Sequence, residues 1–371
     1  MKDKYSELPK IAQLIDSLDP GGAERMAVNL ANEFQHLGWS NLLIVSRHLG
    51  GLAAQVTDQG QVHLLKKTST FDRAAFGRFL DLLKSERVEI LHAHGPSVYW
   101  GVIAKWFLPR IHLIWHDHLG ISDDVVKNNP RREIRFLSRW IDRVITANES
   151  TKDYWIDKGY WNRDKVVYLP NFPRLEEFPR IKKEKFTFIH LANYRSEKGH
   201  FHLIDAVGLL EKKRKDFMVR MVGKDVDPQW KNRVSQAVKD KGLGHVISIE
   251  SESDQVSRLL AEADAGLVVS DREGLPVALL EYGLAGLPVI SSRVGQCSEV
   301  LGEGKWGLLF KTGDVEELKF QMEKLLDSPN DARELGQSFL GWVTANYSGK
   351  KFISLYSELL SGINQTQKAH D

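Results

Sequence analysis

A single cysteine, Cys297, stands in 371 residues. One thiol cannot build a disulfide framework, and such usage fits a reducing compartment. Charge of one sign is also missing: 51 Lys and Arg against 49 Asp and Glu leave a net +2. That balance argues neither for nor against nucleic acid, and no nucleic-acid partner is expected. No apolar run is long enough to cross a bilayer. The opening Met1-Lys2-Asp3-Lys4-Tyr5-Ser6-Glu7 has no apolar core and is not expected to be an export signal. The expected location is the cytoplasm, with peripheral contact at the inner membrane face as the open alternative. Repeats and low-complexity segments are absent. Apolar content of 42% and charged content of 27% belong to a globular chain, and the length suits two domains.

What is there is alternation. Ile11–Ile15, Leu42–Val45, Val88–Leu91, Ile111–Trp115 and Val144–Thr146 predict strands. Ala23–Leu37, Arg73–Lys84 and Ser97–Phe107 predict helices between them. Such alternation predicts a parallel sheet covered on both faces. Pro170 to Pro179 holds three prolines in ten residues, and the basic run Lys182-Lys183-Glu184-Lys185 follows. That stretch predicts a linker. Strands then resume at Phe186–Leu191, Phe217–Val222, Val246–Ile249, Ala265–Val269 and Pro288–Ser291. The helices between them are His200–Leu210, Pro228–Asp240, Ser253–Glu262 and Pro276–Ala285. The tail from Gly362 is polar and expected to fray. The expectation is α/β with two doubly wound, Rossmann-like halves facing a central cleft. Ligands in such sheets bind outside the carboxyl ends of the strands.

The most informative stretch runs Asp271-Arg272-Glu273-Gly274-Leu275-Pro276-Val277, with Glu281 eight residues after Glu273. It joins a buried strand to a helix. Pro276 suits the first helical turn. Gly274 lets a ligand approach the backbone. Free amides at the helix start favour a phosphate. Glu281, beyond the first turn, can accept hydrogen bonds from vicinal hydroxyls. The plain alternative is a helix cap with a solvated glutamate.

This stretch resembles the E-x7-E signature of retaining glycosyltransferases of family 4, which have the GT-B fold. The resemblance covers nearly the whole chain. Pro20-Gly21-Gly22-Ala23-Glu24-Arg25 resembles that family's N-terminal glycine loop, and Leu169-Pro170-Asn171 the end of its first domain. Tyr194-Arg195-Ser196-Glu197-Lys198-Gly199 resembles its basic donor loop; Val222-Gly223 and Leu287-Pro288-Val289-Ile290 fit as well. The resemblance implies residues 1–172 as an acceptor-binding domain and 180–346 as a nucleotide-sugar domain, with a last helix at about 347–362 crossing back to the first. It implies Glu281 on the donor ribose, and Arg195, Lys198, Gly223 and the backbone at Gly274, Leu275, Pro276 and Val277 around the nucleotide diphosphate. Glu273 would hold the transferred sugar. Gly21 and Gly22 would line the acceptor side. In the family an arginine follows directly on the glycine ending the strand before Arg195. Here Ala192 and Asn193 stand there, and Arg195 comes two residues later.

Three further patterns have two readings each. His92-Ala93-His94 and His116-Asp117-His118 end two strands. They could gather a metal, or serve as hydrogen-bonding groups on the acceptor side. By resemblance His116 lies near the transferred sugar, with His118 as the competing choice and His94 beside them. Asp225-Val226-Asp227 is either a metal-binding Asp-x-Asp or a turn before the helix opened by Pro228. Arg131 to Val144 is basic, with Ile134, Leu137 and Ile141 on one face. It reads as a helix lying on anionic lipid, or as one packed on the sheet with a solvated basic face.

The expectation is a retaining, hexosyltransferase-type enzyme that needs no cofactor and no metal. It would move sugar from a nucleotide-sugar, uridine-linked by family frequency, to a hydroxyl of a glycan or lipid-linked acceptor in cell-surface polysaccharide or glycolipid synthesis. The alternatives are another nucleotide-sugar enzyme on the same scaffold, such as an epimerase, or a non-catalytic sugar-nucleotide binder.

Overall fold

The computed structural model describes residues 9–118, 131–181, 183–253 and 255–368, with side chains to 362. The opening residues 1–7, where no export signal is expected, Lys182 of the linker and Asp254 lie outside the described residues. The chain divides into two compact units. One ends at Phe172 and resumes at Gly349; the other runs from Pro173 to Ser348.

Unit 1 holds a seven-stranded parallel sheet in the order β3-β2-β1-β4-β5-β6-β7. The strands are β1 (Ile11–Ser17), β2 (Asn41–His48), β3 (Val62–Leu64), β4 (Ile90–His94), β5 (His112–Asp117), β6 (Arg143–Thr146) and β7 (Val166–Tyr168). The helices are α1 (Gly22–His36), α2 (Arg73–Ser85), α3 (Val98–Phe107), α4 (Arg132–Leu137) and α5 (Glu149–Asp157). The central strands β1, β4 and β5 are buried along most of their length because both faces are covered. Phe79, Leu83, Trp100, Trp115 and Trp155 fill one face. Met26, Leu30, Phe34 and Trp39 form the other core with Phe352, Ile353, Tyr356, Leu359 and Leu360 of the last helix.

Unit 2 holds a six-stranded parallel sheet in the order β10-β9-β8-β11-β12-β13. Its strands are β8 (Phe186–Leu191), β9 (Phe217–Gly223), β10 (Ile247–Ser251), β11 (Ala265–Val268), β12 (Val289–Ser292) and β13 (Leu308–Phe310). Its helices are α6 (His200–Glu211), α7 (Pro228–Asp240), α8 (Val256–Ala261), α9 (Val277–Leu284), α10 (Val315–Asp327) and α11 (Pro329–Tyr347); α12 (Gly349–Lys368) belongs to unit 1. Leu203, Val207, Val234 and Met322 pack on one face of the sheet. Leu279, Leu280, Phe339 and Val343 pack on the other. In both units the strand order reverses beside the first strand, at β1/β4 and at β8/β11. These are the places where doubly wound sheets receive ligands.

Several expectations need correction. The basic stretch is not one helix: α4 stops at Leu137, a 3-10 turn covers Ser138–Trp140, and β6 begins at Arg143. Pairing wins over periodicity there, because Asp142 N–H donates to Leu113 O at 2.9 Å and draws the chain into the sheet. The tail does not fray at Gly362, since α12 continues to Lys368. The helix after Glu273 starts at Val277, and Pro276 is its extended N-cap (φ −72°, ψ 120°) rather than part of its first turn.

The Pro-rich segment has no regular structure, and each end is fixed to its own unit. Asn29 Nδ2 donates to Phe172 O at 2.9 Å in unit 1. Glu176 N–H donates to Ser257 Oγ at 2.9 Å in unit 2. No helix among the described residues is long and apolar enough to cross a membrane.

Candidate functional site

In unit 2 the loops at the carboxyl ends of β8 and β11 converge. The first carries Arg195 and Lys198, and the second carries Ser270, Glu273 and Gly274. Lys198 Nζ lies 2.6 Å from Glu273 Oε1. Ser270 Oγ donates to the same carboxylate oxygen, also at 2.6 Å. A charge-assisted bond this short, with the side chains 22% and 11% exposed, locks both loops together. Arg195 is exposed and has no protein partner among the described residues. The backbone N–H groups of Gly274 and Leu275 likewise meet no protein acceptor among them. Nothing lies within 4 Å of where a Cβ on Gly274 would sit. Glu281 is half-buried on α9, one turn past its start. Together these make a cationic, donor-rich rim beside two carboxylates.

The loops are held from beneath by buried groups with little sequence signal. His190 ends β8 with Nδ1 3.0 Å from Leu267 O and Nε2 3.1 Å from Lys198 O. Burial holds that imidazole below its ordinary pKa. The Tyr282 hydroxyl accepts from Leu191 N–H at 2.7 Å. Gly199 follows Lys198 in the left-handed region at φ +67°, and a Cβ there would stand 1.8 Å from Val269 O. Gly223 ends β9 so close to its neighbour that a Cβ would stand 1.9 Å from Ala192 O. Gly223 therefore shapes the loop's base. Polar His190 inside Phe-Thr-Phe-Ile-His-Leu was the readable clue.

The Asp-x-Asp pattern is a turn. Asp227 Oδ1 accepts from Gln229 and Trp230 N–H at 3.1 Å each and caps α7. Asp225 lies 3.9 Å from Lys231. Cys297 is buried, and burial pushes its thiol up to about 12. Such a thiol is inert as a nucleophile.

In unit 1 the four histidines gather at the ends of β4 and β5. Tyr356 OH lies 3.1 Å from His92 Nδ1, and His92 Nε2 lies 3.2 Å from His116 Nδ1. Beside this chain runs another: the Gln13 side-chain amide lies 3.0 Å from His94 Nε2, and His94 Nδ1 lies 2.9 Å from His118 Nε2. The His116 and His118 rings stack at 3.9 Å. Both chains end on nitrogens with no protein partner among the described residues, His116 Nε2 and His118 Nδ1. Burial lowers all four pKa values, to about 3 for His92 and His118 and well below the ordinary value for His94 and His116. The rings are therefore neutral, each donating one proton along its chain.

His92, His94 and His116 offer ligand atoms within 4.8 Å of one another. Both nitrogens of His92 and His94 are already engaged, and the neighbouring carboxylate is not on this face. Asp117 turns to the other side of β5, bonded to Arg131 Nη1 at 2.8 Å and Trp155 Nε1 at 2.9 Å. The set is a hydrogen-bonded imidazole network. His94 is buried, and its Nδ1 reaches His118 Nε2 at 2.9 Å. His116 is fully buried and His118 only partly so. Gln13, a polar residue between Ala12 and Leu14 in β1, was missed. Gly21 is the N-cap of α1 with extended backbone (φ −161°), and Gly22 has open space where a Cβ would sit. A Cβ on Gly21 would instead stand 2.2 Å from the Glu24 carboxylate, so only Gly22 leaves open room at the start of α1.

Residues 20–177 match the family described as Glycosyltransferase Family 4, and residues 171–339 match Glycosyl transferases group 1. N-acetyl-alpha-D-glucosaminyl L-malate synthase of Bacillus anthracis is 24% identical over 313 residues, 80% of this chain and 81% of its own. The sulfoquinovosyl transferase of Arabidopsis thaliana is 25% identical over 285 residues, 70% of this chain and 54% of its own. Among solved structures, HepE of Anabaena in complex with UDP matches with a TM-score of 0.77 at 17% identity, covering 95% of this chain and all of its own (100%). With matched regions running from residue 20 to 339 and two reversed-order parallel sheets, this chain belongs to the glycosyltransferases of family 4 and has the GT-B fold.

Proposed function

We propose that the protein moves a hexose from a uridine diphosphate sugar to a hydroxyl of a glycan or lipid-linked acceptor, with retention at the anomeric carbon, in cell-surface polysaccharide or glycolipid synthesis in the cytoplasm. The observation that carries this reading is the Lys198–Glu273 pair beside the unpartnered amides of Gly274 and Leu275. A sugar nucleotide has matching parts. Its diphosphate suits Lys198, Arg195 and the two amides, and its ribose diol suits Glu281. The hydroxyls of its sugar suit Glu273. The crystallised HepE complexes with UDP and UDP-glucose support a uridine nucleotide.

Charge builds on the diphosphate as the glycosidic bond breaks. Fixed cations and amides stabilise that charge most where water is excluded. Lys198 and Arg195 would supply this without a divalent ion. The reading takes the acceptor hydroxyl to attack from the face the diphosphate leaves, with the departing phosphate oxygen taking its proton. On the acceptor side, the free nitrogens of His116 and His118 would hydrogen-bond hydroxyls as neutral groups.

A panel of nucleotide-sugars tests the reading. The parent should release free UDP from one of them in the presence of acceptor, and proton NMR should show the anomeric configuration kept. An inverted product, or no nucleotide release across uridine and guanosine donors, would overturn it.

A further inference from the structure

We propose that the aromatic and arginine face built by α3 and α4 of unit 1 docks on a bilayer surface bearing anionic phospholipid. The inference is independent of the sugar-transfer reading. Trp106, Phe107 and Phe136 are 53%, 61% and 54% exposed. They are not scattered. Phe136 packs on Trp140 at 5.2 Å between centroids, and Trp140 packs on Trp106 at 5.4 Å, so the rings form one surface across two elements. Contiguous exposed apolar surface on a soluble domain marks an interaction site. Tryptophan-rich surface is suited to the headgroup layer, where an amphipathic ring meets both media.

The charges on this face are unbalanced. Arg139 lies over Phe136 and Trp140, 4.4 and 5.0 Å from their ring centroids, and its Nε donates to Phe136 O at 3.1 Å. That fixes a guanidinium at the rim of the apolar patch with no carboxylate partner among the described residues. Arg132 and Arg135 are exposed on α4, again without an ion pair among them. Of the neighbouring acids, Asp142 is paired with Lys105, and Glu133, which accepts from Tyr99 OH at 2.7 Å, is one negative charge against the three arginines Arg132, Arg135 and Arg139. Beside the patch, Arg135, Ser138, Lys158 and Tyr160 line an open pocket of about 490 Å³. Two cations and two hydroxyls complement a phosphate. Apolar rings flanked by unpaired arginines and a phosphate-binding pocket match the layered chemistry of an anionic leaflet: acyl boundary, then phosphate, then diffuse negative potential.

Co-sedimentation of the full chain with vesicles tests this. Vesicles of phosphatidylcholine alone are compared with vesicles that also contain phosphatidylglycerol, at low and high salt. Binding should be at least about tenfold tighter to the anionic vesicles and weaken with salt, since each basic residue at such a surface contributes several-fold. The double variant R135A/R139A should lose most of that preference. W106S/F136S should weaken binding to both vesicle types. Far-ultraviolet circular dichroism and the unfolding temperature serve as the folding control for both variants. Equal binding by parent and variants would overturn the proposal. So would loss of vesicle binding on adding millimolar inorganic phosphate at constant ionic strength, which would make the pocket a free-phosphate site. A dimer in light scattering that W106S/F136S dissolves would reassign the face to a second protein copy, and salt-sensitive binding to RNA but not vesicles would overturn it as well.

Discussion

At the scale of single residues, the proposed donor site holds its lysine and its glutamate against each other. One carboxylate oxygen of Glu273 receives both Lys198 Nζ and Ser270 Oγ. A diphosphate arriving at Lys198 would share its charge and leave Glu273 free to turn toward sugar hydroxyls. Glu273→Ala should therefore lower turnover by about 100-fold, the size typical of losing one preorganised charge contact. UDP affinity should change far less. Glu281→Ala should instead weaken UDP binding by about 1.5–3 kcal/mol, the worth of hydrogen bonds to a charged group. Calorimetric titration with UDP, alongside steady-state rates, separates the two. Parent-like binding and turnover in both variants would remove the assignment.

Both glutamates and Lys198 were legible as motif residues. Their contact was not: Lys198 and Glu273 are 75 positions apart, and sequence order gives no distance. The same holds for the histidines. Their types and strand-end positions were readable, whereas their pairing depends on the β4–β5 register that sets His94 opposite His116.

Those histidines also set a pH dependence. Their folded pKa values lie below the ordinary 6.5 because burial disfavours the charged ring. The unfolded chain therefore binds protons first as pH falls. Stability contributed by the neutral network is present above about 6.5 and is lost progressively as pH drops toward about 3. Urea midpoints should fall between pH 7 and pH 5, by up to about 1.4 kcal/mol per pH unit for each ring. A variant carrying His92→Phe and His116→Phe should show a shallower fall. A flat profile for the parent would contradict the burial argument.

At the scale of elements, the loop after β8 depends on one backbone position. Gly199 combines a φ of +67° with an approach that leaves no room for a Cβ beside Val269 O. Gly199→Ala should destabilise unit 2 by about 1–3 kcal/mol, in line with other strained backbone positions. It should also displace Lys198, so UDP affinity should fall even at temperatures where the variant is folded. Denaturation curves with and without UDP would show whether the two losses travel together. Normal affinity in a folded variant would mean that the loop does not depend on this glycine.

Element prediction failed where a signal was short or was overruled. The three-residue strands β3, β7 and β13 are too brief for any period to declare itself. The stretch from Arg131 kept helical spacing through Ile141, yet sheet pairing ended α4 at Leu137. In contrast α10 was readable and simply unclaimed, since Leu318, Met322, Leu325 and Leu326 repeat at helical spacing and are buried.

At the scale of the whole molecule, the alternation of short apolar runs and amphipathic segments was enough to predict two parallel sheets. The proline cluster was enough to predict a divide. Strand order lay beyond it, because order is a matter of which edges meet. The proposed metal independence is tested at this scale too. Asp227 is committed to capping α7, and both ring nitrogens of His92 and His94 are engaged in hydrogen bonds. Turnover should survive an excess of chelator unchanged. Activity lost to chelator and restored by manganese would send the search for ligands back to these residues. Nucleotide should meanwhile raise the unfolding transition of unit 2, by about 2.7 kcal/mol at a hundredfold excess over its dissociation constant.

The place of α12 has a consequence for how the chain is made. Its residues Phe352, Ile353, Tyr356, Leu359 and Leu360 complete a core whose other half, Met26, Leu30, Phe34 and Trp39, is translated more than three hundred positions earlier. All of unit 2 is continuous between them. On the ribosome, the second half of the gene product can reach its native form while the first half still waits for a missing wall. The first-synthesised sheet would then be the last to be sealed. Until α12 clears the exit tunnel, the greasy side of α1 lies open to chaperones or to a neighbouring nascent chain.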